Sequence, residues 1–197
     1  MKKNKEPKAP KRIAVLTNAL RSGAMVCLHD GAAPDDKLRG YVVGLSDTFV
    51  LLHIWEPDTM CLNGYLALPL NEVISARVLD EYDAFPDRAL KVKGIRPQSQ
   101  PDILLLDFPG LLSSADAHFP LILLNLGYRY PDTCFVGRVE RLTGKTVHLH
   151  EITPAARWGN TVKHRFKDIT RVEFGGGYED ALWRVNQAER QAAAETE

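Results

Sequence analysis

Apolar positions along this chain recur at two spacings. Over residues 12–21, Ile13, Leu16 and Leu20 fall on one face of a helix, and Gly23 supplies its end. Short apolar runs broken by turn residues follow. They predict strands over 24–29, 38–45, 48–55, 65–70 and 73–79, with a loop at 30–37 and a turn at Ser46-Asp47. The same order of elements then returns. A short helix is predicted over 111–117, with strands near 119–126, 134–142, 145–152, 161–166 and 168–174 and a turn at Thr143-Gly144. A last helix runs from Tyr178 to about Ala192. Its Ala181, Leu182, Val185 and Ala188 form one narrow apolar stripe.

The recurrence extends to single residues. With Gly40 set over Gly137, an offset of 97, Val42 meets Val139, Leu45 meets Leu142, Val50 meets Val147, Leu52 meets Leu149 and His53 meets His150. A small insertion later brings Ile74-Ser75 onto Ile169-Thr170 and Ala89-Leu90 near Ala181-Leu182. This reads as one domain used twice, over residues 12–97 and 103–188, the second carrying the C-terminal helix. A Pro/Gln/Ser-rich linker lies between them. A short helix followed by five bent strands predicts a small closed barrel, because closure removes exposed sheet edges. Gly40 and Gly137 sit mid-strand, where a glycine marks a bend or a close backbone approach.

Composition narrows the class without naming a chemistry. The chain has 197 residues, 45% hydrophobic and 25% charged, which excludes a disordered, collagenous or disulfide-framework protein. No apolar run approaches the roughly 18 residues that span a bilayer, so no membrane partner is expected. The 25 basic and 25 acidic residues cancel, but unevenly. Residues 1–12 carry six positive charges against Glu6, residues 13–97 carry eight positive and eleven negative, and residues 98–188 carry ten of each. The basic tail (1–11) and the end of the chain (189–197) are expected to be disordered. Cys27, Cys61 and Cys134 are odd in number and unpaired in spacing. With no signal-peptide pattern, this predicts reduced thiols and a cytoplasmic location. Cys27 and Cys134 read as small core side chains.

Two segments, Leu38-Arg-Gly40-Tyr-Val42-Val-Gly-Leu45-Ser-Asp47 and Phe135-Val-Gly137-Arg-Val139-Glu-Arg-Leu142-Thr-Gly144, resemble the first signature of the Sm-like (Hfq/LSm-type) family. The first copy has one extra residue before its Asp, and the second has Gly in that place. Phe166-Lys167-Asp168-Ile169-Thr170 is similar to the family's second signature in its bacterial form, with Asp168 standing where the His of a Lys-His pair would be. The first copy has Asn71-Glu72 there. The family's uridine-binding residues therefore do not carry over. The resemblance implies an all-β fold with short helices: two tandem Sm-like (SH3-like) five-stranded barrels, each preceded by a short helix, plus a C-terminal helix. It also implies RNA as a partner, and self-association through edge strands as a ring or a dimer.

Candidate chemistry is sparse. Lys163, Arg165 and Lys167 alternate along a predicted strand and share one face. Arg157 and Arg171 flank them and Trp158 is near in sequence, a pattern that fits a phosphate-tracking stripe with an aromatic for base stacking. The same pattern also describes the solvated side of an antiparallel strand whose other side holds Val162, His164 and Phe166. His148 and His150 share a strand face but lack the further ligands that a metal needs. No nucleophile–base motif, phosphate loop or carboxylate pair can be assembled, so no catalysis, metal or cofactor is expected. Two readings stay open. One is a non-catalytic RNA-binding or RNA-associated protein. The other is a protein–protein interaction or assembly module without nucleic-acid binding.

Overall fold

In this computed structural model, ten antiparallel strands and four α-helices make up the described residues, 8–100 and 102–195. Helix α1 (Lys8–Ser22) precedes strands β1 (Met25–Asp30), β2 (Lys37–Leu45), β3 (Phe49–Glu56), β4 (Cys61–Pro69) and β5 (Val73–Val78). Helices α2 (Phe85–Val92) and α3 (Phe108–His118) follow. Then come β6 (Ile122–Asn125), β7 (Cys134–Leu142), β8 (Thr146–Ile152), β9 (Trp158–Arg165), β10 (Arg171–Phe174) and α4 (Gly177–Ala194). Among the described residues no helix is long and apolar enough to cross a membrane.

All ten strands belong to one open sheet in the order β5-β1-β2-β3-β4-β10-β6-β7-β8-β9. This corrects the expectation of two closed five-stranded barrels. The edge of β4 is taken by β10, with Ala67 opposite Val172 and Tyr65 opposite Phe174, so the two halves continue into one another. Among the described residues β5 and β9 are the two edges. Residues 1–7 of the expected basic tail lie outside the described residues. Helix α1 already begins at Lys8, and α4 continues to Ala194, through most of the second expected tail.

The two halves share their pairing geometry. Val26 lies opposite Gly40, and Ile122 opposite Gly137. The β2–β3 ladder is bulged between Val42 and Gly44, and the β7–β8 ladder between Val139 and Arg141. Both positions differ by 97 residues. The next ladder is irregular at His53/Trp55 in one half and at His150/Ile152 in the other. In α3, Asp107 caps the helix by accepting from the Gly110 N–H at 2.7 Å. One turn from its end, Asp116 accepts the Val139 N–H at the bulge, 2.8 Å away.

Burial explains why the strands are so apolar. One core packs Leu16 and Ala19 of α1 against Val26, Leu28, Val42, Val50, Leu52, Leu66 and Leu68. A second core packs α3 (Leu111, Leu112, Ala115) against Ile122, Leu124, Val147, Leu149, Val172 and Phe174, and it also includes Phe49, Leu51, Tyr65 and Ala67 from the first half. Strands β3 and β4 are thus covered on both faces, which is why Phe49-Val-Leu-Leu52 is a continuous apolar run rather than an alternating one. Helices α2 and α4 cover the outer surface of each half. Leu90 packs with Met25 and Tyr41, while Leu182 packs with Leu121, Leu123 and Val136.

Three glycine sites set backbone distances. At Gly40 and Gly137 an added Cβ would be driven into the carbonyl of the neighbouring strand, at His53 and His150 respectively. Gly64 (φ +70°) would place a Cβ 2.6 Å from the Gly176 nitrogen. The Gly175-Gly-Gly177 run is therefore where the chain crosses β4 at close range; the Gly177 N–H donates to Asn63 Oδ1 at 2.8 Å. Gly137→Ala is expected to destabilise the fold by about 2–3 kcal/mol through forced backbone displacement. Gly144→Ala, whose Cβ meets nothing within 4 Å, should change little. Urea denaturation of the two variants checks this, and equal midpoints would show that the close approach is not a constraint.

Candidate nucleic-acid interface

Strands β7, β8 and β9 present a polar outer face built of cross-strand rows. Arg138 stands opposite His150, which stands opposite Thr161. Arg141, His148 and Lys163 form the next row on that face, and Thr146 stands opposite Arg165. Opposed residues of antiparallel strands share a face. Burial agrees: Val147, Leu149 and His164 are buried, whereas Arg138, Arg141, Thr161, Lys163 and Arg165 are exposed. The Arg141 guanidinium donates to His148 Nε2 at 3.2 Å.

Corresponding rows in the first half have the opposite character. They are Tyr41–His53–Tyr65, Gly44–Leu51–Ala67 and Phe49–Pro69. Most of these residues are buried, under the linker and the second half. The Phe49 ring packs edge-on to Phe108 with centroids 5.0 Å apart, and Tyr65 lies 5.8 Å from Phe174. Gln98 donates its backbone N–H to His53 Nδ1 at 3.1 Å, and the Gln100 amide donates to the Tyr65 hydroxyl at 2.9 Å. Where the first half is covered by protein, the second half offers two arginines, a lysine and a further arginine on β9 to solvent.

The six residues singled out from sequence separate into three groups. Lys163 and Arg165 lie on the outer face of β9 as expected, and Arg165 is drawn to Asp168 at 3.1 Å. Lys167 is exposed in the 3₁₀ turn Phe166–Asp168, beyond the end of the strand rather than on it. Arg157 is exposed in the β8–β9 connection. Trp158 shares the outer face, stacks on His150 with centroids 4.6 Å apart, and donates its indole N–H to Asn186 Oδ1 at 3.1 Å. Its ring is thereby tied to α4. Arg171 is elsewhere: 19% exposed on β10, with Asp30, Asp36 and Glu173 at 3.6, 3.5 and 3.0 Å. It joins the halves by binding the β1–β2 loop to the second half, so its charge is already compensated.

Arg138, Arg141 and Trp183 were not singled out. The Arg138 guanidinium lies 5.9 Å from the Trp183 ring, and together with His150, Trp158 and Arg190 they line a cleft of about 380 Å³ beside α4. The offset of 97 carried the signal, because it sets Arg138 against Tyr41 and Arg141 against Gly44. Among the cysteines, Cys27 is buried, Cys61 half-buried and Cys134 exposed, so Cys134 is not a core side chain. Among the described residues no three His, Cys, Asp or Glu side chains converge as a metal site.

His53 and His150 occupy matching rows in different surroundings. Burial pushes the His53 imidazole down to about 4, so it is neutral in the folded protein at pH 7. The unfolded chain takes up this proton first as pH falls, so stability drops from about pH 6.5 to pH 4. Relative to His53→Asn, the wild type is expected to lose up to about 3 kcal/mol across that window. Denaturant titrations at pH 7 and pH 4.5 measure it, and parallel losses in both proteins would remove the role assigned to His53. Searches for related proteins find no matching family model, no matching curated protein and no matching solved structure.

Proposed function

We propose that this chain is a non-catalytic, tandem Sm-like protein that binds single-stranded RNA on the outer face of β7–β9. The strand order supports the Sm-like reading: each half runs in the same pairing sequence, β5-β1-β2-β3-β4 and β10-β6-β7-β8-β9, each with a preceding helix. The single observation that carries the RNA reading is the contrast between matching rows. Leu51 and Ala67 are buried at the junction, while Arg141 and Lys163 stand exposed on either side of a half-buried His148. A surface freed from packing has been given cations spaced along a strand, which is the arrangement that tracks a phosphate backbone. Because the chain is neutral overall, this attraction is local and strongly salt-dependent.

A second reading rests on the free edges. Strands β5 and β9 carry unpaired backbone groups, so the chain would join copies of itself or an extended peptide by strand addition. At the β9 edge the polar rows oppose continuation, since the apolar rows that seal the internal junction are replaced there. On the β5 edge, Arg12 of α1 donates to the Val73 and Ile74 carbonyls. These features favour RNA over edge-to-edge assembly.

Arg141→Gln combined with Lys163→Gln is expected to weaken binding of a short unstructured RNA by about tenfold or more. The slope of log K against log salt should fall by about 1.4, the share of two phosphate contacts. Arg88→Gln with Lys91→Gln, on α2, should leave both quantities unchanged. Fluorescence anisotropy across a salt series measures them. Equal affinity in both double variants would sink the assignment of the face. Absence of RNA binding at low salt, together with a defined oligomer by light scattering, would favour the second reading.

A further inference from the structure

Beside the outer face lies a cleft of about 680 Å³ between β9 and the loop joining β6 to β7. That volume falls within the range of small-molecule sites. The loop is held in a fixed turn, with the Arg129 and Tyr130 N–H groups both donating to the Leu126 carbonyl at 2.9 and 2.8 Å. This sets Arg129 and Tyr130 at one wall. Across the cleft, Asp168 Oδ2 lies 3.1 Å from Arg165 Nε and 3.7 Å from Arg129 Nη1. One carboxylate thus draws two guanidiniums together and offsets only one of their charges. Lys163 adds a third positive charge at the rim.

The floor is aromatic, and then polar. Tyr130 meets Phe135 edge-on at 5.6 Å, and Phe135 lies 4.7 Å from His164. His164 is 5% exposed, and its Nε2 is 2.9 Å from Glu151 Oε1. The first half has Leu38, Ile54, Leu66 and Leu68 where the second has Phe135, Glu151, Val162 and His164, by the strand pairings. There the four aliphatic side chains belong to a packed core. A buried His164 paired with a half-buried Glu151 adds little stability over two aliphatic side chains of similar size. What it does bring is a polar ring at the floor of a cleft: Nε2–H is donated to Glu151, and Nδ1 is the ring nitrogen left for a ligand.

We propose that this cleft is a nucleotide site that takes a nucleoside monophosphate unit, either free or as one nucleotide of an RNA. Arg129 and Arg165 bind the phosphate through charge-assisted N–H donors, geometry that guanidinium suits better than ammonium. Tyr130, 41% exposed, offers a ring for the base, and His164 accepts a hydrogen bond from it. The proposal deepens the RNA reading and shares Arg165 and Lys163 with the outer face, but it adds Arg129, Tyr130 and His164 and makes no use of Arg138 and Arg141. The two therefore fail separately.

Calorimetry on the full chain at low salt, titrated with adenosine monophosphate, adenosine and inorganic phosphate, tests it. The monophosphate should bind at least tenfold more tightly than either fragment. Arg129→Gln and Tyr130→Ala, both at exposed side chains, should each cost about tenfold in monophosphate affinity, while Arg88→Gln on α2 should cost less than twofold. Equal binding of phosphate alone, or unchanged affinity in the Arg129→Gln/Tyr130→Ala double variant, would overturn the site. Displacement of the monophosphate by a short RNA identifies the RNA as its source; simultaneous binding of both identifies a free nucleotide. Monophosphate binding in a protein that ignores RNA would remove the RNA reading and leave this one standing.

Discussion

The pairing of β4 with β10 is the interaction on which the remaining structure depends. It joins two five-stranded arrays into one sheet and brings the second half over the outer surface of β3 and β4. Phe49, Leu51, Tyr65 and Ala67 are buried there, and each large side chain contributes about 1.5–3 kcal/mol on leaving water. Polar contacts define the orientation. Arg171 reaches Asp30, itself 1% exposed, and the Tyr128 hydroxyl donates to Glu72 at 2.6 Å. An ion pair in such a place adds little stability, and removing either partner strands a buried charge. It holds the halves in one register.

From this junction comes the asymmetry of the molecule. Equivalent surfaces of the two halves cannot stay chemically alike once one is covered and the other is not. The covered rows are aromatic and aliphatic; the open rows carry Arg138, Arg141, Lys163 and Arg165. The histidines show the same division. His53 is enclosed by the linker and kept neutral, whereas His150 lies against Trp158 at the margin of a cleft. Zero net charge is compatible with a cationic face, because Arg138, Arg141 and Lys163 share one set of rows while acidic residues such as Asp168 and Glu173 lie outside them.

Much of this was legible before the structure. The positions of the strands, the turns at Ser46-Asp47 and Thr143-Gly144, and the helix with Leu16 on its buried face follow from apolar spacing and turn chemistry. Gly40 and Gly137 announced a close backbone approach, and each lies against a neighbouring carbonyl. Helix α2 was not legible. It is eight residues long and buries Pro86 and Leu90, too few turns for apolar spacing to establish a helical period. Trp158 read as a free stacking ring because its partner Asn186 lies 28 residues away on another element. Arg171 read as part of a basic stripe because the carboxylates that compensate it come from β1 and the loop after it.

By itself, the sequence determined the local order of elements and their recurrence at an offset of 97, because both rest on spacing between near neighbours. It also determined which positions would be apolar. Only the tertiary structure decided which faces those positions seal. Strand pairing between β4 and β10 links residues more than a hundred positions apart, and nothing in the periodicity of either segment specifies that partner. The pairing covers one set of rows and leaves the matching set open. Which cations remain exposed is therefore settled by the fold rather than by their spacing along the chain.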